Sequence, residues 1–578
     1  LDGRRDRLPE FEAYMSKRWL IGAAALALAA PAQAGEVSGK VTGPGGAPVA
    51  GARVVINDLL RGDTTEGDGA FDLPRLPGGA YEVSVTALGL ASQTRRVSVP
   101  QEGAVRLDVR LAPNAVLARE AALNAEPAPE HLAQKQAYLS AIKPTATRKP
   151  NIVVLLFDDL GYGDLSSYGN QLIRTPNIDA LATRGVKLTQ FYSGSPVCTP
   201  SRAALLTGRY PSRSRSANHV FFPSDNPMAR IRRSAGYANV LPADEILLPE
   251  VLSRAGYRTG AFGKWHLGDT AGHRPTDLGF QTYFGVLYSN DMSPLPIYRG
   301  TRVDTPPDKT DQRTLTERFT DEAIGFMRAS AGQPFFAYVP FTAPHLPHYP
   351  NPKHQGVSEG GTYGDVVEDL DDNVGRILRA LDELKIADDT IVIVTSDNGG
   401  DQAGSVGALR GRKGETFEGG IRVPCFVVWP GRTRPGAVSD AMAMNIDLFP
   451  TLLAALGVPL PKDRAIDGRD MAGLLSGGAS PHDYLYYTTA FSGEFQAVRD
   501  TEFKYRAMLS EKWPLAPAGT PLPHGARPAL YHINGDNESH DVSAKHPDEA
   551  KRLSERLAAF RAEAQANPRG WTTQETQP

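Results

Sequence analysis

Four short apolar runs punctuate the middle of this chain: NIVVLLF from Asn151, YRTGAFG from Tyr257, PFFAYVPF from Pro334 and TIVIVTS from Thr390. Each is too short for an ordinary helix and runs into charged or turn-forming residues, the pattern of a strand buried on both faces. Between them the apolar spacing lengthens. In YGDVVEDLDDNVGRILRALDELK, residues 363–385, Val, Leu and Ile recur at three- and four-residue intervals, which predicts an amphipathic helix. Buried strands alternating with such helices predict an α/β fold with a mostly parallel central sheet flanked by helices.

Ligands of such sheets gather beyond the carboxyl ends of the strands, so the residues after each run carry the interest. Asp158 and Asp159 follow the first run, Lys264 and His266 the second, His345 the third, and Asp397 and Asn398 the fourth. Three carboxylates and a carboxamide from two strand ends make an all-oxygen donor set, suited to a hard cation such as Ca²⁺ or Mg²⁺ rather than zinc. The lysine and histidines would face an anion held by that cation. Taken singly, an Asp-Asp pair is also a common turn or helix cap, SDNG a common turn, and GKWHLG a loop with a buried tryptophan. Their shared place at strand ends is what joins them.

One of only two cysteines lies in GSPVCTPSRAALLTGRYP, residues 194–211. Pro200 suits an early helical position and the Ala-Leu stretch after it favours helix, so Cys198 is expected at a helix N-terminus, which favours an anion. Arg202, four residues on, projects from the same face. The alternatives are a buried structural thiol or a disulfide with Cys425, which reads as a packed strand residue in VPCFVVWP.

Before Asn151 the texture is all-β. Valine-rich stretches alternate with Gly/Pro turns over residues 35–112, the pattern of a small β-sandwich. The spacing in GAPVAGARV and GDGAFDLPRLPGGAYEVSV resembles carboxypeptidase regulatory-like domains, and no catalytic constellation falls within it. It is expected to act as a spacer or docking module. Further upstream, MSKRWLIGAAALALAAPAQAGE from Met15 has the basic start, apolar run and small-residue cleavage site, ending at Ala34, of a secretory signal. Its apolar run falls short of the roughly 20 residues a membrane-spanning helix needs. Residues 1–34 are therefore set apart as upstream residues and signal. The mature chain is expected to be secreted or periplasmic, with no membrane insertion after cleavage. An Ala/Glu/Pro-rich stretch, residues 113–148, reads as a partly helical linker.

The 578 residues carry 62 basic and 65 acidic side chains, a formal net charge of −3, and no long basic run. Nothing electrostatic points to a nucleic-acid partner, which leaves a small-molecule or carbohydrate substrate.

In order along the chain, CTPSRAALLTGRY, GKWHLG, TAPH, SDNGG and GRKGETFEGGIRVP resemble the motifs of the sulfatase family, from about residue 149 into the C-terminal region. The resemblance implies an alkaline-phosphatase-like catalytic domain, residues 149–467, and a smaller C-terminal α+β subdomain, residues 468–578, with a four-stranded sheet and a helix such as PDEAKRLSERLAAFRAEA. In sulfatases of this type a formylglycine-generating (sulfatase-maturing) enzyme oxidises the motif cysteine to formylglycine, whose aldehyde hydrates to a geminal diol. Cys198 is thus implied to act as an oxygen nucleophile, with a second hydroxyl that expels sulfate by collapse to the aldehyde. By position, Asp158, Asp159, Asp397, Asn398 and modified Cys198 match the ligands of Ca²⁺, or Mg²⁺ in its place. Arg202 matches the residue that holds the diol, Lys264 and Lys413 the cations that bind sulfate, His345 the group near the leaving oxygen, and His266 the base for diol collapse.

The resemblance thus implies a secreted sulfatase acting on a sulfate monoester, most readily of a sulfated carbohydrate. The alternatives are a formylglycine-dependent phosphodiesterase or phosphonate monoester hydrolase, and a catalytically silent binding protein. Two positions depart from the family pattern: Arg412, where many relatives carry glycine, and His532, in place of an aspartate. Substrate choice is expected from rim loops, residues 216–240 and 287–294, with Asn290 and Asp291 as candidate contacts.

Overall fold

The computed structural model describes residues 35–112, 128–144 and 149–572, except 51, 57, 58, 60, 88, 89, 91, 92, 216–219, 235–237, 491, 492, 508–527, 535 and 536. The expected signal lies outside the described residues. The chain divides into two compact units near residue 120.

In the first unit, strand Gly35–Thr42 pairs antiparallel with Ala70–Leu76 and parallel with Gly103–Arg106 and Val109–Arg110. A second sheet runs in the order Arg61–Thr64, Arg53–Ile56, Gly79–Thr86, Gln93–Val99. Alternate residues of both sheets point inward, so Val37, Val41, Val54, Ile56, Phe71, Val83 and Val85 form one core. This is the expected sandwich.

All four apolar runs form strands of the second unit, in an eleven-stranded sheet among the described residues. Asn151–Phe157 lies at its centre, parallel to Phe335–Pro340 on one side and Thr390–Ser396 on the other. Arg258–Lys264 and then Thr282–Val286 continue the parallel set. Every residue of Asn151–Phe157 is buried. Its side chains alternate between two cores: Ile152, Val154 and Leu156 pack with Leu248 and Leu252, while Val153, Leu155 and Phe157 pack with the helices Leu315–Ala329 and Gly361–Glu383. A continuous apolar run is what such two-sided burial demands. The sheet is mixed rather than parallel throughout, since Arg422–Val428 runs against both Thr390–Ser396 and Val186–Tyr192.

Near the C-terminus, strands Leu485–Thr488, Phe495–Arg499, Phe503–Arg506 and Ala529–His532 pair antiparallel in sequence order. Helix Pro547–Ala566 covers them with Leu553, Leu557 and Phe560, in a core shared with Tyr192, Ala204 and Ile421 of the α/β part. Among the described residues no helix is long and apolar enough to cross a membrane.

Within the stretch expected to link the units, Pro129–Ala141 is a packed helix of the second unit. Leu139 enters the main core, and Lys135, 3 % exposed, pairs with Glu250 at 2.7 Å while donating to the carbonyls of Ala243 and Glu245. Burial outweighs Lys135 at Glu250 and leaves that carboxyl raised above its ordinary range. Nearby, Arg209 and Arg569 both reach Glu245, Arg569 also reaches Asp244, and the Trp571 ring lies under Arg209, Arg464 and Arg569 and stacks on His131 at 3.8 Å. The helix and the tail are fastened to one another over the same buried charges.

Lys135→Ala is expected to destabilise the second unit by about 3–5 kcal/mol, the usual cost of stranding one member of a buried pair. The sign with pH follows from Glu250. A raised carboxyl means that the folded chain holds the proton more tightly than the unfolded one, so stability falls as pH climbs through that carboxyl's pKa. Without Lys135 the penalty grows, and thermal melts should show a larger loss at pH 8 than at pH 5. A chain starting at residue 128 should match the melting behaviour of the full second unit, whereas one starting at residue 150 should not.

Candidate active site

The carboxyl ends of Asn151–Phe157, Arg258–Lys264, Phe335–Pro340 and Thr390–Ser396 open on one side of the sheet, and the residues after them converge. Asp158, Asp159, Asp397 and Asn398 are each at most 1 % exposed, as are Lys264 and His266; His345 is 7 % exposed. Asp159 and His266 hold left-handed backbone angles, φ 65° and 63°, uncommon for residues with a side chain and found where the surrounding structure imposes them. Part of that constraint at Asp159 is its own amide, which donates to Asp397 Oδ1 at 3.1 Å.

Helix Cys198–Thr207 enters this cluster with its first residue. All ten of its residues are buried, and Gly208, at φ 71°, supplies the left-handed cap that ends it. Cys198 Sγ lies 3.3 Å from Asp158 Oδ1 and 3.8 Å from Asp159 Oδ1. Cys198 and Cys425 are both free thiols. One turn along, Arg202 donates from Nε to Asp397 Oδ2 at 2.9 Å and from Nη1 to the Lys264 carbonyl at 2.9 Å, with Nη2 3.4 Å from Asp158. It ties two strand ends to the helix.

Single ligand atoms of Asp158, Asp159, Cys198 and Asp397 lie within 4.8 Å of one another. Such crowding of carboxylates in a dry site needs positive charge. Lys264 Nζ stands 2.6 Å from Asp158 and Lys413 Nζ 2.6 Å from Asp159, while His345 Nε2 is 3.5 Å from Asp159. Burial alone would raise Asp158, but Lys264, His345, Arg202 and Lys413 together hold it well below the usual carboxylate range. At Asp159 the same opposition, led by burial against Lys413 and His345, ends lower as well. Asp397 goes the other way: burial and the Asp158 charge, against Arg202, push it up to about 6. Burial also raises the Cys198 thiol far above its ordinary value, so the encoded side chain is a weak nucleophile here.

The donor set fits a hard dication. Besides the carboxylates, Asn398 gives its Nδ2 to Asp159 and the Gly399 carbonyl, while its buried Oδ1 has no hydrogen-bond partner and remains a ready oxygen ligand. The two histidines are set in opposite senses. His266 Nε2 donates to the Phe221 carbonyl at 3.0 Å, leaving the buried Nδ1 unpartnered; His345 Nδ1 donates to the Leu346 carbonyl at 2.6 Å, leaving Nε2 toward Asp159.

Lys413 lies on a loop held from two directions. Its amide donates to the Gly400 carbonyl and the next amide to the Pro196 carbonyl, beside the helix that Cys198 begins. Farther along, the Phe417 ring lies between the guanidiniums of Arg506, at 3.5 Å, and Arg410, at 4.2 Å. The Glu418 amide donates to Glu538, and Lys504 bridges the Glu418 and Glu538 carboxylates at 3.0 Å each.

Several polar partners escaped sequence reasoning. Ser289 Oγ sits 3.1 Å from Lys264 Nζ, although the motif around it had pointed to its neighbours. Of those neighbours, Asn290 pairs with Gln312, and Asp291 is exposed. Arg412, expected near the rim, staples its own loop by donating to the carbonyls of Asp401 and Gly404. His532 lies at the far end of the C-terminal sheet, 3.2 Å from Glu502. The Phe221 carbonyl was not foreseeable, because a backbone group leaves no trace in residue identity.

The comparisons with known proteins agree with this geometry. The sulfatase family model matches residues 150–458, the carboxypeptidase regulatory-like domain residues 36–112, and the N-sulphoglucosamine sulphohydrolase C-terminal model residues 412–515. The chain is 39% identical over 364 residues to human N-acetylgalactosamine-6-sulfatase, covering 59% of this chain and 69% of that protein. It is 35% identical over 442 residues to mouse steryl-sulfatase, covering 61% and 69%. A structure solved in work on glycosaminoglycan metabolism by Bacteroides thetaiotaomicron superposes with a TM-score of 0.64 at 28% identity, over 72% of this chain and 100% of that one. The first of these models spans more than half of the chain and includes every group gathered around Cys198; the chain belongs to the sulfatase family, the sulfuric ester hydrolases.

Proposed function

We propose that the chain hydrolyses a sulfate monoester of a sulfated carbohydrate, with formylglycine at position 198 and a divalent cation, Ca²⁺ or Mg²⁺, at the carboxylate cluster. The observation that carries this reading is the meeting of Cys198, three carboxylates, two lysines and two histidines in one buried site. When bound, the cation supplies Lewis-acid polarisation of a sulfate oxygen, and hydrated formylglycine supplies an oxygen nucleophile. Asp158, Asp159, Asp397 and Asn398 Oδ1 would hold the cation. Lys264, backed by Ser289, and Lys413 clamp the sulfate oxygens, where preorganised charge in a dry site is the largest common source of rate. Arg202 fixes Asp397 and the first turn of the helix, so position 198 cannot swing away from the cluster. His345 can deliver a proton from Nε2 to the leaving oxygen because its Nδ1 is tied to a carbonyl. His266 can accept one at Nδ1 because its Nε2 proton is tied to Phe221.

The substrate class is supported by relatives named for an N-acetylgalactosamine sulfate and by a structural neighbour from glycosaminoglycan metabolism, against three relatives named for steryl sulfate. Cys198 is 1 % exposed, so a maturing enzyme has to reach it before its helix packs. With the signal expected over residues 15–34, the reading is of an exported enzyme, converted on its way to a secreted or periplasmic location.

Chelation is expected to abolish aryl sulfate hydrolysis and readdition of Ca²⁺ or Mg²⁺ to restore it; full turnover by metal-stripped enzyme would overturn the metal assignment. Asp397→Asn should lower kcat/KM by roughly 10² to 10³. It keeps an acceptor for Arg202, which Asp397→Ala would strand in the interior. Among preparations, activity should track the fraction of chains whose position-198 peptide shows the lighter mass of an aldehyde in place of the thiol-bearing carbon, read by mass spectrometry, and Cys198→Ala should be inactive. Equal rates from converted and unconverted enzyme, or faster turnover of phosphodiesters and phosphonates than of sulfate esters, would sink the proposal.

A further inference from the structure

Residues 221–234, with Asn239, pack against the site from outside the carboxylate cluster. The Phe221 amide donates to Thr199 Oγ1 at 3.1 Å, one residue from Cys198, and its carbonyl holds His266. The Ser224 amide donates to Asp269 at 2.8 Å, and Asn239 brackets the Phe222 amide and carbonyl at 3.0 and 2.7 Å. Between these anchors, Pro227–Ser234 forms a helix bearing Arg230, Arg232 and Arg233 and no acidic residue, in a chain whose net charge is −3.

Arg230 and Arg233 are exposed and three residues apart, so they share one face of the helix. Arg232 lies over the Phe222 ring at 5.4 Å. Arg233 donates to the Ser224 carbonyl at 2.7 Å, and its charge is felt at Tyr288, whose ring stands edge-on to His266 at 5.9 Å. On the adjoining loop Arg274 donates to the Asp269 carbonyl. Two acids face this group: Asp225, exposed ahead of the helix, and Asp269, whose Oδ2 is engaged by the Ser224 amide. Like charges on one helix face repel, and a bridging anion removes that repulsion.

We propose that this arginine face is a second anion subsite, holding a further sulfate of a multiply sulfated saccharide whose scissile sulfate lies at position 198. The inference rests on the sulfate-ester reading above. Guanidinium forks match the paired oxygens of an oxyanion, and a saccharide carries its sulfates at fixed offsets on one stiff backbone, so a charge displaced from the reacting centre can select among substrates without touching the chemistry.

The test uses full-length converted enzyme with a small aryl sulfate, a monosulfated oligosaccharide and its disulfated counterpart. Arg230→Glu, and separately Arg230→Gln with Arg233→Gln, should leave kcat/KM for the aryl sulfate within about twofold and lower it roughly tenfold for the disulfated oligosaccharide, mainly through KM. Arg230→Lys, which keeps the charge but not the fork, should fall between the parent and Arg230→Glu on the disulfated oligosaccharide. Added salt should weaken the disulfated substrate more in the parent than in the variants. Calorimetric binding of the disulfated oligosaccharide to Cys198→Ala chains should fall by a similar factor. Equal losses on both oligosaccharides, no loss, or a matching loss on the aryl sulfate would overturn the subsite. Failure of converted parent enzyme to hydrolyse the aryl sulfate would overturn instead the reading beneath it.

Discussion

Three carboxylates buried within a few ångströms of one another are the constraint around which the rest of the catalytic unit is arranged. Asp158, Asp159 and Asp397 come from adjacent parallel strands, so the sheet itself forces them together. Leaving them charged in the interior requires compensation from several directions: Arg202 from the nucleophile helix, Lys264 from the next strand but one, and Lys413 from a distant loop. Each of those cations thereby gains a fixed position. In the function proposed above, the groups that steady the carboxylates are the same groups that would meet an anionic substrate, so stability and chemistry would draw on one set of contacts.

The Lys413 loop shows how far that arrangement extends. It has no regular structure of its own between residues 401 and 417; Arg410 and Arg412 brace it from within, and the Gly400 and Pro196 carbonyls, the Arg506 guanidinium on Phe417, and the Glu418–Lys504–Glu538 bridge hold it from outside. Lys504, Arg506 and Glu538 all belong to the C-terminal region. Among the described residues that region contributes no group in contact with the carboxylates, yet it braces the loop that carries one of their cations.

Much of this was legible in the amino-acid sequence because it rests on two strong signals. Apolar runs without alternation report burial on both faces, and those runs did become the inner strands; the polar residues just past them then had to share one end of the sheet. Residue type sufficed to suggest Asp158, Asp159, Asp397 and Asn398 as a group. Other features were not legible. The direction of Arg422–Val428 depends on which neighbour it pairs with, which its composition does not encode. Ser289 was passed over for Asn290 and Asp291 because all three are polar and only the fold decides which one reaches Lys264. Helix Pro129–Ala141 read as a linker because a single buried lysine and a single buried leucine on an otherwise polar helix give almost no amphipathic signal.

The placement of the clasp on Lys413 has a consequence in time. Chains are made from the N-terminus, and Lys504, Arg506 and Glu538 emerge long after the nucleophile helix and all four strand ends. Ala204 of that helix packs in the same core as Leu485, Val498 and Phe560, so the helix too lacks its final neighbours until the last strands and helix are made. A nascent chain therefore carries Cys198, the carboxylates and Lys413 before their cluster has its full support. Docking of the C-terminal sheet supplies the last neighbours of the helix that buries Cys198. Synthesis order and fold together place the cluster's own residues first and their support last.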